Sequence, residues 1–248
     1  MRLCVFASGS DRNGYLLYNE NEALVIEAGV SVRNVIRQLK GNVGKISGCL
    51  ISHEHEDHSK YIRQYMEHAI DVYCSKGTAD ALNLKETGRL KTGENWVPFR
   101  SGGFTVRPFL VHHDAREPFG YLIHHPETGY ILFATDTYYL DRSFSSGLNQ
   151  IMLECNYHMD LLNENTRSGR IHGTVRNRTM RSHMEYGQCL ATIRSNNLQK
   201  VSNIVLLHLS ATNADSERFR QGIIQATGKR VFIARKGLDI DFNMNPFI

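Results

Sequence analysis

Short apolar runs bounded by Gly, Asn or Ser alternate along the chain with stretches of helical spacing, the pattern of an α/β fold. LCVFA, YLLY and ALVIEAG read as strands. Val32, Val35, Ile36 and Leu39 then fall at helical spacing, with Ser31 as the expected N-cap and Gly41 just past the end. A strand over 46–52 runs into HEHEDH, and Ile62, Tyr65, Met66, Ala69 and Ile70 mark an amphipathic helix behind it. HEHEDH is thereby placed in a strand-to-helix loop. FTVRPFLVHHD, GYLIHH and YILFATD read as successive strands, with PETG as the turn between the last two. VSNIVLLH is a strand ending on His208, followed by a helix carrying Phe219, Ile223 and Ile224. Ser182-His183-Met184-Glu185 has the form of a capping box, which predicts His183 in the first turn of a helix. Residues 161–181 are polar and turn-rich, and are the expected place of a mobile insertion.

The 248 residues, 41% hydrophobic and without internal repeat or linker, are expected to form one domain over 1–248. No apolar run approaches the roughly 18 residues of a membrane span, so no membrane partner is expected. The net charge of +4 is spread along the chain, which permits an anionic substrate without demanding one. Cys4, Cys49, Cys74, Cys155 and Cys189 form no CxxC pair, and their odd number leaves one thiol over in any disulfide scheme. A reducing, cytoplasmic location is the expectation.

Chemistry concentrates in four potential ligands within six residues, His53, His55, Asp57 and His58. The strand before them can hold the loop rigidly, and alternation predicts that residues 53, 55 and 57 point differently from 58, so that one loop addresses two ions. A lone His-x-His is most often a solvated polar loop; three histidines and an aspartate behind an apolar strand form a metal-binding set. Imidazole with carboxylate suits zinc, and manganese or iron also. Asp136 and His208 each end an apolar run, YILFAT and VSNIVLL, and strand ends converging on one edge are where sites of layered α/β folds collect.

His-x-His-x-Asp-His after a strand resembles the signature of the metallo-β-lactamase superfamily. FASGSDRNGYLLYNENEALVIEAGVS, HHDAREPFGYLI, FATDTYYL, LECNYH and LLHLSATN extend the resemblance, to the YycJ-like branch, over most of the chain. Glu27 stands where that branch usually has Asp. The resemblance implies an αββα four-layer sandwich with two divalent ions at one edge of the sheets. It implies His53, His55 and His113 as ligands of the first ion, Asp57, His58 and His208 as ligands of the second, and Asp136 bridging them. His113 is preferred to His112 because His113-Asp114-Ala115 matches the branch's His-Asp-Ala, and His112 is left as a supporting residue. His183 resembles the histidine that approaches the scissile phosphate in ribonuclease Z, with Glu154 orienting it or a ligand, and Glu27 is expected to support the metal loop from outside. His68, His124, His125, His158 and His172 lack comparable placement and are expected at the surface or behind the ligands. Tyr138 and Tyr139, directly after Asp136, are candidates for lining a substrate pocket.

The expected function is hydrolysis by a metal-bridging hydroxide, with Asp57, Asp136 and His183 as catalytic groups. A phosphodiesterase or nuclease acting on nucleic acid is the leading expectation, with Arg167, Arg170, Arg176, Arg178 and Arg181 as candidate phosphate contacts. A small-molecule hydrolase of a cyclic phosphodiester, lactone or thioester is the alternative, and a non-catalytic binding module with the same fold the third.

Overall fold

In the computed structural model, which describes residues 1–85, 88–144 and 147–245, the apolar runs pair into two mixed sheets. β1 (Arg2–Ala7), β2 (Gly14–Tyr18), β3 (Ala23–Ile26), β4 (Ile46–Leu50), β5 (Val72–Ser75) and β6 (Leu90–Gly93) build the first. β7 (Phe99–Ser101), β8 (Phe104–Leu110), β9 (Phe119–His125), β10 (Gly129–Ala134), β11 (Gln150–Glu154), β12 (Asn203–Leu207) and β13 (Arg230–Ile233) build the second. The chain then crosses back, and β14 (Asp239–Asp241) lies antiparallel to β1 in the first sheet. Each sheet has an antiparallel part and a parallel part: β3 to β6 in the first, β10 to β13 in the second. The inner strands β3, β10, β11 and β12 have near-continuous buried sequences because both of their faces are covered.

NIVLL of β12 illustrates how. Val205 and Leu207 face inward, where they meet Leu3, Leu17, Leu24, Phe104, Tyr121 and Phe133 between the sheets. Ile204 and Leu206 face outward and pack with Cys189 and Ile193 of α7 (Tyr186–Arg194) and Phe219 and Ile223 of α8 (Ser216–Thr227). On the other side, Leu16, Val25, Cys49 and Val72 are covered by Val32 and Val35 of α1 (Val32–Gln38) and by Ile62 and Tyr65 of α3 (Ile62–Glu67). The result is the expected αββα sandwich. Its period-2 burial within each strand is what places alternate residues in different layers. All five cysteines are buried and unpaired, and among the described residues no helix is long and apolar enough to cross a membrane.

Three local expectations are corrected. The helix over 62–70 stops at Glu67 because Ala69 adopts a left-handed φ of 60°. Residues 161–181 are not turn-rich: they fall in two helices, α5 (Met159–Arg167) and α6 (Gly173–Ser182), joined by a short connection. Ser182 therefore ends a helix instead of capping one. Glu185 caps α7 in its place, its carboxylate accepting from the Gly187 and Gln188 amides, and His183 lies in the extended link between α6 and α7. Short polar residues suited to turns are also tolerated in a helix that packs against its neighbours, and tertiary packing overrides their weak preference.

Candidate metal centre

Ends of β3, β4, β8, β10, β11 and β12 converge at one edge of the sandwich, and each delivers a polar side chain there. Three of these residues, Glu27 (φ 68°), Asp136 (φ 48°) and His208 (φ 52°), take a left-handed backbone just beyond their strands. Such conformations cost on the order of 1–3 kcal/mol each for non-glycine residues, and they persist where surrounding contacts over-determine them. The contacts are present. Thr135 Oγ1 donates to Asp136 Oδ1 at 2.9 Å, and the His208 amide donates to Ser8 Oγ at 2.9 Å. Glu27, fully buried, accepts from the Ser52 amide at 3.3 Å.

The HEHEDH segment divides in a way that alternation does not describe. His53 and His55 lie on extended backbone after β4, whereas Asp57 and His58 belong to a short helix, α2 (Glu56–Ser59), with His55 as its N-cap. The turn of α2 puts Asp57 and His58 on a common side, with His58 Nε2 and Asp57 Oδ2 3.1 Å apart. α2 is knitted to neighbouring loops: the Asn13 amide donates to the Asp57 carbonyl, and the Ala28 amide to the His58 carbonyl, both at 2.8 Å. Gly29 is required at this junction, since a Cβ there would lie 1.8 Å from the Asp57 carbonyl oxygen.

Three overlapping donor groups result: His53, His55, His113 and Asp136 form the first, Asp57, His58, His208 and Asp136 the second, and Asp136, Glu154, His183 and His208 a third, with ligand atoms within 4.8 Å of one another in each. In the first, His55 Nδ1 lies 3.0 Å from His53 Nε2 and 3.2 Å from His113 Nε2. His113 Nδ1 donates to the Ser182 carbonyl at 2.8 Å, which leaves its Nε2 lone pair facing the group. In the second, Asp136 Oδ2 lies 3.2 Å from His58 Nε2, and Asp136 Oδ1 3.5 Å from His208 Nε2. His208 Nε2 is buried without a hydrogen-bond partner. An orphaned buried polar atom costs about 1–3 kcal/mol, and a cation between His208, Asp57 and Asp136 would satisfy it. This donor set of imidazole nitrogens and carboxylate oxygens fits divalent ions of the zinc, manganese or iron type.

Charge within the cluster is polarised. Burial would raise Asp57 and Asp136, but His208 and His58 outweigh it and hold both carboxyls well below the usual range. Burial pushes His53 well below an ordinary imidazole, reinforced by the charge of His58, and lowers His113 despite Asp136. His58 moves the other way: burial opposes its charge, yet Asp136, Glu27 and Asp57 prevail and raise it well above the ordinary value.

Around the first two groups, His183 Nδ1 donates to Glu154 Oε1 at 2.7 Å, and its ring stacks on His208 at a centroid distance of 5.3 Å. Burial lowers the His183 pKa, but the Glu154 charge and hydrogen bond outweigh it and raise it to about 9. Glu154, itself fully buried, also accepts from the Thr137 amide at 2.7 Å, which fixes the loop after Asp136. His112 joins none of the groups; its ring stacks on Tyr139 at 4.3 Å, while Tyr138 is 39% exposed beside it. Glu27 Oε1 lies 3.5 Å from His58 Nδ1, so the longer acid still reaches the ligand from outside. His158 and His172 cap α5 and α6. His125 is buried away from the site against Glu22, against the expectation of a surface or supporting position. Arg178 is paired with Asp114 at 2.7 Å and Arg176 with Asn163 at 2.8 Å, whereas Arg181 is exposed.

Three residues at the site, Asn13, Asn156 and Ser52, escaped the sequence. Asn13 Nδ2 reaches Asp57 Oδ2 at 3.0 Å and His58 Nε2 at 2.9 Å, and Asn156 Nδ2 lies 3.0 Å from His208 Nδ1. Ser52 Oγ meets His53 Nδ1 at 2.8 Å. Asn13, before a glycine, looks like an ordinary turn residue, and only its place in the FASGSDRNG segment hinted at more.

Comparison with known proteins agrees with this fold. The chain is 25% identical over 256 residues to Exodeoxyribonuclease YycJ of Bacillus anthracis, covering 97% of this chain and 94% of that protein. It is 23% identical over 260 residues to Exodeoxyribonuclease WalJ of Streptococcus pneumoniae, covering 97% and 91%. The crystal structure of the metallo-β-lactamase fold protein YhfI from Bacillus subtilis superposes with a TM-score of 0.71 at 17% identity, over 96% of this chain and 98% of that one. The profile of the β-lactamase superfamily domain matches residues 23–209, and the chain belongs to that family, with the metallo-β-lactamase fold.

Proposed function

We propose that this protein is a dinuclear metal-dependent phosphodiesterase that cleaves DNA. The observation that carries the reading is the pair of donor groups joined through Asp136. His53, His55 and His113 would hold one ion and Asp57, His58 and His208 the other, with Asp136 shared. Two divalent ions, zinc foremost, would acidify water there and neutralise negative charge on the attacked phosphate.

The chain's own groups do the rest. Asp57 and Asp136, held ionised by the histidines around them, accept hydrogen bonds from the attacking water and orient it. His183, its Nδ1 engaged by Glu154, keeps its other nitrogen for a phosphate oxygen or the departing alkoxide. The raised pKa near 9 favours the charged, donating form at neutral pH. Relatives named exodeoxyribonucleases that align along 97% of the chain favour DNA over a lactone or thioester substrate.

The test is hydrolysis of bis(p-nitrophenyl) phosphate and of labelled single- and double-stranded DNA and RNA, with zinc or manganese. Asp57→Ala is expected to lower the rate by at least about a hundredfold, the lower end of what a positioned proton acceptor contributes. Absence of any phosphodiester cleavage by a wild type carrying two ions per chain would refute the proposal and point to a carboxylic ester, lactone or thioester.

A further inference from the structure

Residues 8–12, which border the donor cluster through Ser8 and lead into Asn13, also wall a cavity of about 830 Å³. Leu209, directly after His208, lines it too, so cavity and metal centre share a boundary. Arg12, Arg37, Arg235 and Lys236 come together around it from distant parts of the sequence, and all four are exposed. Asp11 is the sole carboxylate among the lining residues, and among the described residues none of the four cations has a carboxylate partner. Other surface cations have acidic partners close by, as Arg2 has Asp239, Lys60 has Glu56, Arg142 has Asp141 and Arg220 has Glu217, so what marks the cavity is four cations gathered around one space. Like charges gathered without counter-charges repel one another, and an anionic ligand relieves that repulsion.

We infer that this cavity binds the phosphate backbone of a single DNA strand whose scissile phosphodiester lies at the metal centre. The inference rests on the nuclease reading and adds where the strand runs. A volume of about 830 Å³ corresponds to a cube about 9 Å on an edge, whereas the major groove alone is about 12 Å wide. A single strand fits within those dimensions. Phe6 on the cavity wall offers an aromatic surface for a base, the usual companion of backbone cations in single-strand sites.

The test titrates a short labelled DNA strand into wild type and into Arg37→Gln/Arg235→Gln/Lys236→Gln in EDTA, over a series of salt concentrations. Lys91→Gln/Arg100→Gln/Arg194→Gln, exposed cations outside the cavity, removes the same charge elsewhere. Each backbone contact to a single strand contributes about 0.7 to the salt slope, so three lost contacts lower it by about 2 and weaken binding about a hundredfold at ~0.1 M salt. Equal affinities and slopes in the two variants overturn the inference, as does a wild type that does not bind the strand. Cleavage by the same samples separates the two readings. DNA cleavage by wild type and cavity variant at equal rates sinks the cavity and leaves the nuclease standing. Salt-dependent binding lost in the cavity variant, with no phosphodiester cleaved by wild type, keeps the cavity as a DNA site and sinks the nuclease.

Discussion

Replacing Glu154 with glutamine preserves the shape of a fully buried side chain and removes its charge. Glutamine can still accept from the Thr137 amide through its oxygen, but its amide nitrogen then faces His183 Nδ1, which already carries a hydrogen. The charge-assisted bond is lost. In the wild type Glu154 overcomes the burial of His183 and raises its pKa to about 9, roughly 2.5 units above an ordinary histidine, or about 3 kcal/mol in favour of the charged ring. Without that carboxylate, burial pulls the pKa down against the weaker pull of Asp136 and Asp114, and a fall of at least about 2 units is expected. At pH 8 the ring changes from about nine-tenths charged to about one-tenth charged or less. The direct assay is an NMR titration of the His183 ring protons in EDTA, in wild type and Glu154→Gln. Linkage supplies a second readout: a raised folded-state pKa stabilises fully below the unfolded value near 6.5 and ceases to do so as pH passes about 9. The urea-unfolding difference between wild type and variant should therefore be largest near pH 6, shrink as pH rises from about 6.5 to about 9, and be essentially gone above that. A His183 midpoint in the variant within about half a unit of wild type would refute the reasoning, because the Glu154 charge would then not be what holds the proton.

His58 is raised well above an ordinary imidazole by Asp136, Glu27 and Asp57 against the pull of burial, so a metal entering the second donor group must displace its proton. Calorimetry of zinc binding at pH 7 in buffers of different ionisation enthalpy should show release of about one proton for that ion; a buffer-independent heat contradicts this. Glu27→Asp shortens the carboxylate that reaches His58 Nδ1 from outside the site and accepts the Ser52 amide. Its zinc affinity, by competition with a chelating dye, should fall about tenfold, as outer partners of metal ligands commonly contribute. Unchanged affinity would show that the backbone adapts to either acid.

The candidate metal cluster was legible because four potential ligands sit in a six-residue window behind an apolar run, where strand placement and residue type are both local facts. Asp136 and His208 were legible as polar residues ending apolar runs, and the layered α/β class followed from alternating periodicities. Resemblance, not periodicity, supplied the division of ligands between two ions. Alternation grouped Asp57 with His53 and His55, because the sequence does not announce that four residues after His55 turn into a helix.

What the tertiary structure decided depends on which distant backbones pair, and the free energy of that choice is spread over the whole core. Asn13 and Asp57 are 44 residues apart and meet only because the loops after β1 and β4 share one edge. The capping pattern at Ser182 was a true local signal with the wrong outcome, since α6 packs as a helix through that residue and Glu185 offers the better cap. Arginine density drew attention to 167–181, yet charge counts along a chain ignore partners: Arg178 is neutralised by Asp114, 64 residues away. A cluster of cations without carboxylate partners comes instead from positions 12, 37, 235 and 236, which folding alone gathers around one cavity. Local propensity and periodicity are written into neighbouring residues, whereas a site's second layer and its electrostatic field are sums over contacts that exist only once the two sheets have closed on each other.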